Sequence, residues 1–323
     1  VRTLDFGTTS ALRSQSSWHA VAAAMRPGDP PVLSFVRPAE PYVCLGYHRD
    51  IAEVDGDWCQ EQGLPVLRRK VGGGPVYLDD RQYFFQVTLP AAAVGGHRAA
   101  ALARLLAPSV AALRRLGVPA VLDGYGEVTV GGAKVCGHGA GQVREGVTVV
   151  GNLITGFDHE RATRVLALEE PVRSEVLALM RSYVASTPVD AEAWKDAMVR
   201  EYATHFGTTP SHDALREDEL ARLERYDELL GDPEFVAGQP RPRRAVRTVK
   251  VRAGVWVHEW RHAGRQVVVT VADGVVRRVI GELPTDLTGV DVGAAARMLA
   301  AADDDLAPLA GAFSSAQAEV AAA

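Results

Sequence analysis

Two stretches of the chain combine cations and glycines at a spacing suited to holding an anion. The first is Arg68-Arg69-Lys70-Val71-Gly72-Gly73-Gly74-Pro75-Val76-Tyr77-Leu78-Asp79. Glycine backbones turn through positive φ and come close to a ligand, and successive N–H groups in such a turn make a concave anion site. Beside them, an arginine fork clamps a phosphate or carboxylate bidentately. A wide hairpin loop with solvated arginines is the alternative reading, because a glycine run alone is a weak motif.

The second stretch is Asp123-Gly124-Tyr125-Gly126-Glu127-Val128-Thr129-Val130-Gly131-Gly132-Ala133-Lys134-Val135-Cys136-Gly137-His138-Gly139-Ala140-Gly141. Gly131-Gly132 is a hairpin signal between two strands. Strict alternation then puts Lys134 and Cys136 on one face and Val135 on the other. Lysine is scarce in this chain, with only Lys70, Lys134, Lys195 and Lys250 among 35 basic residues. A lysine beside glycines therefore points to a demand for an ammonium. The competing account is a solvated edge-strand lysine that discourages aggregation. Gly137, Gly139 and Gly141 again permit close approach of a ligand.

Elements that position these stretches are legible from periodicity. Apolar spacing predicts a helix over Ser10–Met25, stopped by Pro27-Gly28-Asp29-Pro30, then strands over Pro31–Val36 and Pro41–Tyr47 joined by a turn at Arg37–Glu40. A short helix over Val54–Gln62 leads to a strand at Pro65–Leu67, and Gln82–Leu89 is a further strand ending at Pro90. His97–Leu116 reads as an amphipathic helix kinked or divided by Pro108. Gly146–Ile154 is a strand, and Asp190–Phe206 a helix with Trp194 and Phe206 inward. Arg216–Leu230 is a mostly solvated helix laced with charge pairs. Gly231-Asp232-Pro233 and the run Gly238–Arg244 read as a stiff connector. Beyond it, three strands (Val246–Val257, Gln266–Val271, Val275–Ile280) and a helix (Val292–Ala302) predict a small α+β module.

Composition bounds the function. The 323 residues are 47% hydrophobic, ample for a packed core, and the net charge of −5 is spread without a basic or aromatic stripe, which argues against a nucleic-acid surface. Three cysteines (Cys44, Cys59, Cys136) without CxxC spacing imply neither a disulfide framework nor a zinc site. With no signal-like N-terminus and no long uncharged apolar run, the expectation is a cytoplasmic protein without a membrane partner.

Taken together, the two glycine stretches make the sequence similar to the lipoate-protein ligase A family, within the biotin and lipoate ligase group. That family carries two arginines, two variable residues, three glycines, a small residue, valine, an aromatic, histidine and aspartate. A Gly-Arg-Asn-Asp turn and a lysine-bearing strand follow. The resemblance covers roughly residues 1 to 230. It implies an α+β fold with a mixed or antiparallel sheet and flanking helices, divided into a catalytic domain over 1–235 and an accessory domain over 245–323. It also implies an acid, lipoate or a related medium-chain acid, activated with ATP and passed to a lysine of a lipoyl-domain or H-protein-like acceptor.

On these positions, the resemblance implies that Arg69 contacts the acyl phosphate. Gly72, Gly73, Gly74, Pro75, Val76 and Tyr77 line the nucleotide, and Lys134, near Gly137, holds the acid's carboxylate. Magnesium would accompany ATP, with Glu127 at the position of the family's turn aspartate as its ligand. The sequence departs from the family pattern at Leu78 (histidine), Gly126 (asparagine), Cys136 (serine) and Val149-Val150 (two histidines). Two other readings fit the same residues: an ATP-independent octanoyl or lipoyl transferase working through a cysteine thioester, and a non-catalytic lipoyl-binding subunit.

Overall fold

A strand that composition hides comes first. β1 (Arg2–Thr9) starts with an arginine whose buried guanidinium is held by Glu219, Nη1 to Oε1 at 2.6 Å and Nη2 to Oε2 at 2.8 Å. Charge at that position therefore packs as a satisfied pair. The protein is described by a computed structural model covering residues 1–96, 98–239 and 245–321, so His97 and most of the arginine-proline connector lie outside the described residues. The chain divides into two compact units: Val1–Asp123, Glu127–Ala167 and Ala185–Pro240 form one, and Gly124–Gly126, Leu168–Val184 and Arg241–Ala323 the other.

In the first unit, α1 (Ala11–Ala24) starts where the Ser10 side chain accepts from Arg13 N at 3.2 Å. There follow β2 (Val32–Pro38), β3 (Tyr42–Leu45), α2 (Gly56–Glu61), β4 (Val66–Arg68), β5 (Val76–Leu78) and β6 (Gln82–Pro90). The turn expected at Arg37 and Pro38 is the end of β2, because both residues pair with β1. α3 (Arg98–Arg115) runs through Pro108 undivided, the Ser109 hydroxyl donating to the Leu106 carbonyl at 2.7 Å. Next come β7 (Val121–Leu122), β8 (Val128–Val130), β9 (Ala133–Val143), β10 (Gly146–Ile154) and α4 (His159–Arg164). α5 (Val172–Tyr183) belongs to the second unit, and α6 (Ala191–Phe206), β11 (Ser211–His212), α7 (Glu217–Gly231) and α8 (Pro233–Ala237) return to the first.

An eight-stranded mixed sheet runs β11-β1-β2-β6-β10-β9-β8-β7, parallel only where β1 meets β11 and β2. One face is covered by α3 and α6 through Leu105, Leu106, Leu113, Trp194, Met198 and Tyr202. A three-stranded sheet, β4-β3-β5, carries the first glycine stretch between β4 and β5. Glu219 on α7 is wholly buried on Arg2, so that helix is less solvated than its charge pattern suggests. Gly231-Asp232-Pro233 is not linker: Asp232 caps α8, accepting from Glu234 N at 3.0 Å.

The second unit holds an antiparallel sheet of four strands rather than three: β12 (Val246–Arg252), β13 (Val255–His262), β14 (Arg265–Ala272) and β15 (Val275–Ile280). Gly254, at φ +83°, turns the chain where one long strand was expected. α9 (Val292–Ala302) and α10 (Ala307–Ala321) follow, and the first packs Val292, Ala295 and Leu299 into that unit's core. Among the described residues, no helix is long and apolar enough to cross a membrane.

Candidate active site

The site is built on β9, where the alternation rule fails once and usefully. Val128 pairs with Cys136 but Thr129 pairs with Lys134, so Val135 is an extra residue, a β-bulge. Val135 and Cys136 consequently both enter the core beneath α3 and α6. Lys134 is turned to the other face of the sheet, the face that also carries Gly137, Gly139 and Gly141. The expectation that Lys134 and Cys136 share a face is thereby overturned.

That face looks onto the first glycine stretch. A Cβ placed on Gly141 would lie 2.7 Å from Val71 Cγ1, and one on Gly139 would lie 3.6 Å from the Gly72 carbonyl oxygen. The structure thus brings the two stretches together at Gly139 and Gly141, and Lys134 stands further along the same strand. Its ammonium is half-buried and ion-paired with the buried Glu127, at 3.0 Å from Oε2 and 3.2 Å from Oε1. His138 Nδ1 lies 3.7 Å from the same carboxylate. Glu127, the residue expected to accompany magnesium, carries the Lys134 ion pair. Among the described residues no group of three His, Cys, Asp or Glu side chains is arranged to hold an ion.

Gly137 pairs with Asn152 on β10, and a Cβ at Gly137 would meet Asn152 Oδ1 at 2.3 Å. Asn152 Nδ2 donates to Gln82 Oε1, and Gln82 Nε2 donates to the Tyr77 carbonyl at 3.3 Å. A polar chain therefore runs from Gly137 across the sheet to β5. Tyr77 itself is buried, its hydroxyl engaged by Arg161 and its pKa raised by burial, while Val76 is exposed. Gly72, Gly74 and Pro75 are half-buried and Gly73 exposed.

The two arginines hold the loop. Arg69 Nη1 donates to the Cys44 carbonyl at 2.8 Å, and Nη2 to the carbonyls of Gly72 (2.8 Å) and Gly74 (3.0 Å). Because the peptide is planar and trans, pulling the Gly72 carbonyl toward Arg69 turns the Gly73 N–H the opposite way. Gly73 sits at φ +102°, and a Cβ on Gly46 would strike its carbonyl oxygen at 2.0 Å, so both positions require glycine. Arg68 reaches the carbonyls of Gly46 (3.2 Å), Arg49 (2.6 Å), Val236 (2.9 Å) and Ala237 (3.0 Å), tying the loop after β3 to the C-terminus of α8.

A residue that periodicity did not single out completes the support. His19 on α1 is buried, its Nδ1 donating to the Gln15 carbonyl at 2.7 Å and its Nε2 accepting Lys70 N–H at 3.0 Å. Both bonds fit the neutral ring, and burial lowers its pKa to about 3. The sequence signal was a histidine directly preceding the small apolar run Ala20–Ala24 of α1.

A family model described as the lipoyl protein ligase A/B catalytic domain matches residues 14–203. The chain belongs to that family. Its curated relatives include both chemistries. Octanoyltransferase LipM of Moorella thermoacetica is 27% identical over 69% of this chain and 92% of its own length. Lipoate–protein ligase 1 of Staphylococcus aureus is 26% identical over 55% of each, so that match spans about half of the ligase. Among solved structures, the fold matches a bipartite lipoate protein ligase of Thermoplasma acidophilum, described with its E2 lipoyl domain, at TM-score 0.68 and 22% identity over 75% of this chain and 98% of that one. It also matches a lipoate-protein ligase A bound with ATP, at 0.63 and 21% over 73% and 98%. Members of this lipoyl family are thus lipoate ligases or octanoyltransferases.

Proposed function

We propose that this chain is an ATP-dependent lipoate–protein ligase: it activates lipoate or a related medium-chain acid to an acyl-adenylate and transfers the acyl group to a lysine of a lipoyl-domain acceptor. The observation that carries the reading is Lys134, held on a buried carboxylate on the glycine-bearing face of β9. Joining a carboxylate to the α-phosphate brings two anions together, and a preorganised cation with backbone N–H groups offsets that repulsion. Lys134 would exchange Glu127 for the substrate carboxylate and then steady the oxyanion as the acceptor amine attacks. The loop Gly72–Pro75 would face the phosphates with the Gly73 N–H, Val76 and Tyr77 bordering the nucleotide. Arg69 then acts by shaping this loop. Magnesium would accompany the phosphates, and Glu127, freed when Lys134 turns to the substrate carboxylate, would be the acidic side chain offered to it.

A thioester route needs an accessible, ionisable thiol. All three cysteines are buried, and burial raises each pKa, to about 12 for Cys136 and about 11 for Cys59. That favours the ligase. The similarity to LipM over 92% of its length favours the transferase as the second reading. Lipoate-dependent ATP–pyrophosphate exchange separates them: a ligase exchanges label, whereas a transferase moves octanoyl from acyl carrier protein without ATP. Absence of both activities would leave a binding subunit.

A further inference from the structure

Away from Lys134 the first unit holds a cavity of about 650 Å³ lined by Lys70, Arg144, Arg222, Arg225 and Tyr226, with Leu229 among its apolar surface. Glu228 and Asp232 also line it, leaving an excess of positive charge. Four cations from three places in the chain converge here: the glycine stretch, the β9–β10 turn and one face of α7. Among the described residues none of these four side chains forms an ion pair. Arg222 Nε is buried without a hydrogen-bond partner. Arg144 is held at φ +54°, a conformation that costs a non-glycine residue energy and that fixes where its side chain leaves the turn. Lys70 Nζ sits 5.5 Å from the Tyr226 ring centroid, and Arg144, Arg222 and Arg225 all bear on that tyrosine's hydroxyl.

Surface cations that serve only solubility spread over convex faces and pair with neighbouring acids. These crowd a concavity, where they repel each other in a partly desolvated space, and burial followed by Arg144 lowers the Lys70 pKa. A multivalent anion removes that repulsion, and arginine forks suit phosphate oxygens. We propose that Lys70, Arg144, Arg222 and Arg225 form a second anion site that takes an oligophosphate, free or carried on a nucleoside, beside the Tyr226 ring.

The test titrates the full chain with inorganic pyrophosphate by calorimetry, in the wild type, R222A/R225A and K134A. The proposal expects a saturable binding component that is weakened at least tenfold in R222A/R225A and changed less than twofold in K134A. R225E, at an exposed position, repeats the comparison should the double variant not fold. No binding by the wild type, binding insensitive to the arginines, or equal loss in K134A would overturn it. Titrations with AMP and inorganic phosphate then distinguish the sources. Tighter binding of AMP than of phosphate indicates a nucleotide, equal binding a free oligophosphate, and both count for the site only if R222A/R225A weakens them.

Discussion

The two glycine stretches use cations in opposite ways. Around Gly72–Gly74, Arg68 and Arg69 are locked by backbone carbonyls from several segments, and each guanidinium acts as a fixed strut. On β9, Lys134 rests on one carboxylate through a flexible stem, a contact that a competing carboxylate can replace. The arginine's planar fork suits several simultaneous acceptors, and the lysine's point charge suits exchange. Charge beside glycine is therefore not a single signal: one pair of cations builds the pocket and the other cation works in it.

The contrast is most exposed at Lys134. K134A is expected to reduce lipoate-dependent exchange by about 10³-fold, the scale of a lost transition-state charge contact. It also strips the buried Glu127 of its cation, so stability should fall too. K134A/E127Q should regain the stability in a urea titration while activity stays lost. Recovery of activity in the double variant would make Lys134 structural like the arginines.

R68A tests the other side. Deleting the buried guanidinium that is shared by the carbonyls of Gly46, Arg49, Val236 and Ala237 should cost about 3–5 kcal/mol in chemical denaturation. R68K, which keeps charge but loses the fork, should recover only part of it. If R68K matched the wild type, the strut description would fail.

G137A forces a Cβ against Asn152 Oδ1, and should lower stability by about 1–3 kcal/mol and activity with it. Acid sharpens the comparison through His19, which is neutral when folded. Its pKa is lowered from 6.5 to about 3, so its contribution is complete above pH 6.5 and is lost as pH falls from there toward 3. The midpoint of urea unfolding for the first unit should drop over that window, and less steeply in H19Q. His258, lowered by burial to about 4, adds the same sign in the second unit. The smallest effect is expected for C136A: stability within about 1–2 kcal/mol and exchange within twofold, because the thiol lies in the core. Loss of acyl transfer with normal folding would instead favour the thioester route.

The sequence by itself determined much of this protein. Gly146–Ile154 and Val292–Ala302 have the bounds that their residues predict, and the paired stretches 68–79 and 124–137 led to the family that the comparisons establish. Such features are local, since turn chemistry, alternation and helical spacing are set by a few neighbouring residues. Tertiary structure decided which face Lys134 occupies, because a bulge arises from pairing with another strand and leaves no mark in the residues of Ala133–Cys136. It also decided that Arg68 and Arg69 bind carbonyls, that Arg2 closes on Glu219, and that His19 stays neutral. Backbone acceptors carry no side-chain signature, and burial belongs to the packed whole, so neither can be read from the chain one residue at a time.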